Sequence, residues 1–211
     1  SVRFSARHYD LAAIAVLAML GVCAALTFRD YGLGWDDYTH SEYGELLLAY
    51  YSSGFTDKRA LSFVNLYMYG GGFDLLSALA AKVLPFDGFE TRRLVGAMVG
   101  IIGLAVTWRL ARRLGGPLAG LLALVLLATT PMFYGHMFMN AKDGPFAVAM
   151  CVLLLAVLRA IEDYPSPSRG AVLFLGFALG LVVGTRILGG IAALFVIAPL
   201  AMLVGQDIAE H

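Results

Sequence analysis

Long apolar runs separated by short polar turns dominate this chain. Six of them read as membrane crossings: residues 11–28, 94–108, 117–131, 145–158, 171–183 and 191–204. Several fall short of the ~20 residues that a full crossing takes, so flanking residues or a thinned bilayer must complete them. The last two runs are nearly continuous. As one helix at ~1.5 Å per residue they would measure ~51 Å, against a hydrocarbon core of ~30 Å. Gly184, Gly189 and Gly190 supply a break, and Arg186 stands among them. A charge at mid-bilayer costs at least ~2.5–3.5 kcal/mol, so the pattern predicts a hairpin with Arg186 near the membrane surface.

Two weaker patterns fall in the long segment 29–93. Residues 40–51 place Leu46, Leu47 and Tyr50 on one helical face and Glu42 and Glu45 on another. Residues 68–84 are apolar but contain Gly70-Gly71-Gly72, Asp74 and Lys82 near their ends. Both are expected to lie at the interface rather than to cross. The predicted fold is an all-α polytopic membrane protein, with about six transmembrane helices and a long outer loop carrying two interfacial helices. Residues 1–211 form a single transmembrane module.

Composition agrees with this reading. Of 211 residues, 60% are hydrophobic and 14% charged, where soluble domains average ~45–50% and ~25%. The formal net charge is zero, which leaves no basic footprint for a nucleic-acid partner. Cys23 and Cys151 sit in apolar runs and read as small apolar residues, not as a disulfide or metal pair. Arg3 and Arg7 precede the first run in a signal-like layout. That run is long and lacks a clear small-residue cleavage site, so it is expected to persist as the first span. With the N-terminus in the cytoplasm, Arg3, Arg7, Arg109, Arg112, Arg113, Arg159 and Arg169 all face inward. The short outer turns then carry only Lys142 and Arg186, and segments 29–93, 132–144 and 184–190 share the outer face.

Three constellations on that face hold candidate chemistry. Adjacent carboxylates in Trp35-Asp36-Asp37-Tyr38 repel one another and desolvate poorly near a membrane, so one is a candidate raised-pKa base. The same residues equally suit an Asx turn or a helix N-cap. In the segment from Tyr134 to Phe146, helical spacing would align His136, Asn140 and Asp143. There Lys142 balances Asp143, while Pro145 suits a first helical turn that Asp143 or Gly144 caps. Arg186 beside Thr185 fits a phosphate clamp, or an arginine snorkelling to lipid headgroups. The loop tyrosines suit an aromatic belt or a sugar groove. Asp36, Asp37 and Asp143 also offer oxygen ligands to a hard divalent cation, a cofactor the sequence does not decide.

Taken in order, these features resemble the membrane-embedded GT-C glycosyltransferases, on the protein O-mannosyltransferase and aminoarabinose-transferase-like branch. The resemblance rests on Asp36-Asp37, the helix 40–51, the stretch Tyr69-Gly70-Gly71-Gly72-Phe73-Asp74 and the span end from Trp108 to Gly116. It also rests on the second motif, from His136 to Phe146, and on Gly184-Thr185-Arg186. The family's acidic pair is usually Asp-Glu, and here it is Asp-Asp. Family members continue through further spans, so the chain is expected to be the N-terminal part of a longer protein. The resemblance implies sugar transfer from a polyprenyl-phosphate donor to an acceptor on the outer face of a bacterial inner membrane. It gives Asp36 the base role, Asp37 support, and Asp143 a second acidic role. His136, Asn140 and Lys142 would supply polar contacts, and Arg186 the charge opposite the departing phosphate. The alternative is a non-catalytic accessory subunit whose small-residue faces pack into a larger membrane complex. A transporter fits less well, because the charges gather at the surfaces and no internal repeat is visible.

Overall fold

The computed structural model describes residues 5–210; Arg3 lies outside them. The described residues form helices α1 (Ala6–Thr27), α2 (Asp37–Ser52), α3 (Gly72–Ala81), α4 (Gly88–Ala128), α5 (Pro131–Met139), α6 (Asp143–Glu162), α7 (Arg169–Thr185) and α8 (Ala193–Glu210). Short 3-10 turns cover Arg59–Ser62, Leu66–Met68 and Ile187–Ala192. Among the described residues, four segments are long and apolar enough to cross a membrane: Ala6–Thr27, Gly88–Ala128, Asp143–Glu162 and Ile187–Ala209. Gly72–Ala81 and Arg169–Thr185 are apolar but shorter.

The expected runs 94–108 and 117–131 both begin within α4, which is not straight. Gly116 sits at φ 83°, ψ −179°, a backbone region that is essentially glycine's alone. Pro117 follows it with φ already set for a new helix. A Cβ added at Gly120 would lie 3.0 Å from Trp108, whereas a straight helix would hold these residues ~18 Å apart. The chain therefore reverses at Gly116, and α4 is a hairpin. Its arms close over Leu104, Trp108 and Leu124, with Ala13 of α1 between them. Pro131 then opens α5 at its first turn.

Small residues let the helices approach. Gly96, Gly100 and Gly103 repeat at helical spacing along the first arm of α4, facing the Met137 backbone, the Met137 side chain and Val148. On the other side of α6, Ala149, Leu153, Ala156, Ala178 and Val182 build the junction with α7. Leu26, Leu173 and Ile208 stay largely exposed, as side chains facing lipid do. The break expected at 184–190 is present: α7 stops at Thr185 and a 3-10 turn follows.

The two ends of the bundle differ. At one end Arg112 grips Asp10 through Nε and Nη2 at 2.6 and 2.7 Å, and Arg113 pairs with Glu162. At the other end the loop after α1, helices α2 and α3, the α5–α6 turn and the α7 terminus converge. There Lys82 of α3 reaches Glu45 of α2 at 2.8 Å. Helix α2 starts three residues before the expected 40–51, and α3 occupies only the middle of 68–84.

Candidate functional site

Two close backbone contacts set the walls of the site. Gly34, in the loop after α1, leaves room for the end of α5; a Cβ there would lie 2.1 Å from the Met139 carbonyl oxygen. Gly70, ahead of α3, abuts the α7 terminus, where a Cβ would meet the Gly184 carbonyl at 2.3 Å. The three outer segments read from the sequence are thus in contact.

Between them lies a polar cleft of about 230 Å³, lined by Asp36, Asp37, His40, His136, Asn140, Lys142 and Asp143, with Trp35 at its edge. The motif residues meet although α5 ends at Met139. Asn140 Oδ1 accepts the backbone N–H of Lys142 at 3.0 Å and of Asp143 at 2.7 Å, which turns the chain into α6. Asn140 Nδ2 lies 3.4 Å from both His136 Nδ1 and Asp143 Oδ2. Asp143 does not cap α6: Lys142 holds the N-cap position without a side-chain capping bond, and the Asp143 carboxylate, in the first turn, stays exposed to the cleft.

Cations and carboxylates pair across the segments. Lys142 Nζ donates to Asp36 Oδ2 at 2.8 Å and stands 5.5 Å from the centre of the Tyr69 ring. Arg186 Nη1 lies 3.2 Å from Asp143 Oδ1, with its guanidinium over Phe146. Its Nε is buried without a hydrogen-bond partner. Among the described residues no group of three His, Cys, Asp or Glu side chains is arranged to hold a metal ion. Asp36, Asp37 and Asp143 each face a cation instead.

The acidic pair divides into two environments. Asp36 is exposed at the start of α2 and makes no capping bond. The hydrogen bond from Lys142 holds its carboxyl below the usual carboxylate range. Asp37 is buried; desolvation pushes its carboxyl up, against the opposing effects of the Gly34 N–H and of Arg92. Gly34 N donates to Asp37 Oδ2 at 2.6 Å, and Arg92 Nε is 3.7 Å from Oδ1. Both line the cleft, but the raised carboxyl belongs to the buried Asp37 and the exposed one is Asp36.

Behind the pair sits a network that the sequence reading missed. Arg92 of α4 bonds Asp74 of α3 and lies over Phe73. His40 Nδ1 lies 2.8 Å from the other Asp74 oxygen. The side chains of Asp37, His40, Asp74 and Arg92 are at most 6% exposed. In the sequence Asp74 stands as a polar interruption of an apolar run and as the end of the Tyr69-to-Asp74 stretch, with no partner assigned to it. A carboxylate in such a helix needs a buried partner, which was the available signal.

Next to the polar cleft is an apolar one of about 280 Å³ between α4, α5 and α6. Val99, Met132, Phe133, Met137 and Val148 line it. His136 and Asp143 line both clefts and form their junction.

The chain matches the family model described as dolichyl-phosphate-mannose-protein mannosyltransferase over residues 72–210. That stretch is well over half of the chain and contains His136, Asn140, Lys142, Asp143 and Arg186; Asp36 and Asp37 precede it. No curated protein and no solved structure gives a significant match.

Proposed function

Because this chain belongs to the dolichyl-phosphate-mannose-protein mannosyltransferase family, we propose that it moves a sugar from a polyprenyl-phosphate donor to an acceptor hydroxyl or amine at the outer face of the membrane. One observation carries this reading: an apolar cleft opens beside a polar one, and His136 and Asp143 stand at the join. A lipid-linked sugar has the same division, with an apolar chain, a charged phosphate and a polar sugar.

In this reading the lipid chain lies along Val99, Phe133 and Val148, and the phosphate comes to Arg186. Charge grows on the phosphate as the bond to the anomeric carbon breaks. A fixed guanidinium is worth most at that moment, because it needs no reorganisation. The acceptor oxygen attacks from the opposite face, inverting the sugar carbon, while Asp36 takes its proton. A leaving phosphate is stable as an anion and needs no proton of its own. Asp37, held by Gly34 and Arg92, fixes the start of α2 and so the direction of Asp36. Lys142 keeps Asp36 ionised and ready to accept. His136 and Asn140 supply polar contacts to the sugar, and Asp143 competes with the phosphate for Arg186.

The membrane layout follows the same reading. The two arms of α4, together with α1, α6, α7 and α8, make about six crossings, some shorter than the bilayer. Helices α2 and α3 lie at the outer interface. The N-terminus and the Arg112 and Arg113 end face the cytoplasm, in a bacterial inner membrane.

The test uses the full-length protein in proteoliposomes, with polyprenyl-phosphate mannose as donor. The acceptors are a Ser/Thr peptide and a lipid-linked saccharide. Transfer to either is expected, with Asp36→Asn at least 100-fold slower. A wild type that transfers to neither, yet co-purifies in a defined complex, would instead be an accessory subunit. Unchanged turnover in Asp36→Asn would remove the base assignment.

A further inference from the structure

Two buried carboxylates, Asp37 and Asp74, share one buried arginine, Arg92. With His40 neutral, this cluster is one positive charge short of balance. His40 lies three residues after Asp37 and four after Asp36 on α2, so one helical face carries all three. Its backbone N–H donates to the Asp36 carbonyl at 3.0 Å. A carboxylate oxygen can only accept, so the 2.8 Å contact with Asp74 places a hydrogen on His40 Nδ1. The remaining ring nitrogen, Nε2, is buried and has no partner, and His40 forms part of the cleft wall.

We propose that Asp74 and His40 form a proton-accepting dyad behind the acidic pair, in which His40 Nε2 receives the proton that Asp36 takes from the acceptor. The inference rests on the transfer reading above and adds a residue that reading does not use. In the reaction the acceptor oxygen bonds the anomeric carbon, and the anomeric carbon–phosphate oxygen bond breaks with its electron pair going to the phosphate. The acceptor proton goes first to the Asp36 carboxylate. Lys142, hydrogen-bonded to that carboxylate, disfavours its protonated form, so Asp36 is poorly suited to keep the proton it takes. No side chain stands within hydrogen-bond distance of Nε2, so the proton reaches its lone pair through a water of the cleft, one helical turn on, and the imidazolium completes the charge balance of Asp37, Asp74 and Arg92. Asp74 keeps the ring in the required tautomer throughout. After product leaves, the proton returns to water through the cleft.

The groups that face this ring are few. Asp36 and Asp37 precede it on α2, and the Tyr43 phenol, raised by burial and by the nearby Asp74 charge, follows it. Asp74 comes from α3. Arg92 and Arg93 come from α4 and act on Asp37. Across the cleft stand His136, Lys142 and Asp143.

The test compares wild type with His40→Gln in the proteoliposome assay across pH, using polyprenyl-phosphate mannose. The expected result is a kcat lower by on the order of 100-fold, with the donor KM within about twofold and the fall of kcat toward low pH flattened. A merely structural histidine would change expression and melting but would leave the pH profile of the surviving enzyme intact. A second measurement needs no turnover: ¹⁵N NMR of the histidine-labelled wild type, whose sequence holds four histidines. One ring is expected to carry its hydrogen on Nδ1, to take up a proton on acidification, and to lose that tautomer preference in Asp74→Asn. A wild type that transfers sugar while His40→Gln matches it in kcat and pH profile overturns the dyad alone. A ring that never protonates does the same. If wild type transfers no sugar although the NMR signature is present, the transfer reading fails and the relay falls with it.

Discussion

Lys142 Nζ lies 2.8 Å from Asp36 Oδ2, joining residues 106 apart in the chain. This contact ties the loop after α1 to the start of α6 and fixes one side of the polar cleft. The Asp36 carboxyl is more than half exposed, so the pair adds only ~0.2–1 kcal/mol to stability. The Asp36 pKa is lowered in the folded protein. Its contribution is therefore fully present above the ordinary carboxylate range and fades as pH falls through the lowered folded value. Thermal melts of wild type and Lys142→Met should differ slightly near neutrality and converge in acid. Sugar transfer should respond more strongly, because the variant leaves Asp36 unanchored. A melting difference that persists unchanged in acid would show that Lys142 acts through some other contact.

Arg92 is a different case, because its charge is buried between Asp37 and Asp74. Arg92→Met leaves two desolvated carboxylates without a cation and should cost ~3–5 kcal/mol. Asp37→Asn should be tolerated. The amide oxygen still accepts the Gly34 N–H, Arg92 keeps Asp74, and a charge disfavoured by burial is removed. Burial raises the Asp37 carboxyl, so the folded state prefers it protonated and its ionisation subtracts from stability as pH rises. Asp37→Asn should therefore gain on wild type as pH rises from acid to neutral. Melting in detergent across pH measures both; an Asp37→Asn variant as damaged as Arg92→Met would mean that the Asp37 charge is required.

Gly116 marks the reversal of α4. A Cβ there would meet nothing within 4 Å, so the cost of Gly116→Ala is purely that of its backbone conformation. An expected loss of ~1–3 kcal/mol follows, read by thermal melting. Gly115→Ala carries no such backbone penalty, although its Cβ must settle against Ala119, 2.8 Å away. Equal stability of wild type and Gly116→Ala would mean that the hairpin relaxes to another turn.

The apolar runs made the helical plan legible, because burying backbone in lipid leaves helices as the natural solution for them. The break after Thr185 was visible from glycines and a misplaced charge, and the division of α4 from the polar stretch between the runs 94–108 and 117–131. The site was partly legible. His136, Asn140, Lys142 and Asp143 are close in sequence, and Arg186 reaches them because α7 returns beside α6. Asp36 and Asp37 looked equivalent in the sequence. The structure separates them by depth, which depends on Gly34 and Arg92. The link from Asp74 to Arg92 and His40 could not be read, because it is made by three helices whose packing no local pattern fixes.

Arg186 is where donor affinity should be decided. Its guanidinium sits against Asp143 at 3.2 Å and over Phe146, with Nε buried and unpartnered. A phosphate arriving there must compete with the Asp143 carboxylate and could satisfy Nε. Arg186→Lys keeps the charge but loses the planar fork. It should raise the donor KM and lower kcat by about tenfold each, while Arg186→Ala should abolish transfer. Asp143→Asn removes the competing charge, so the donor should bind more tightly, with KM falling severalfold. If catalysis also needs Asp143 as an acid or base, kcat falls at the same time. Direct binding of polyprenyl phosphate to the variants separates these effects from chemistry. Undiminished binding in Arg186→Ala would place the phosphate elsewhere, and Lys142 would then be the next cation to examine.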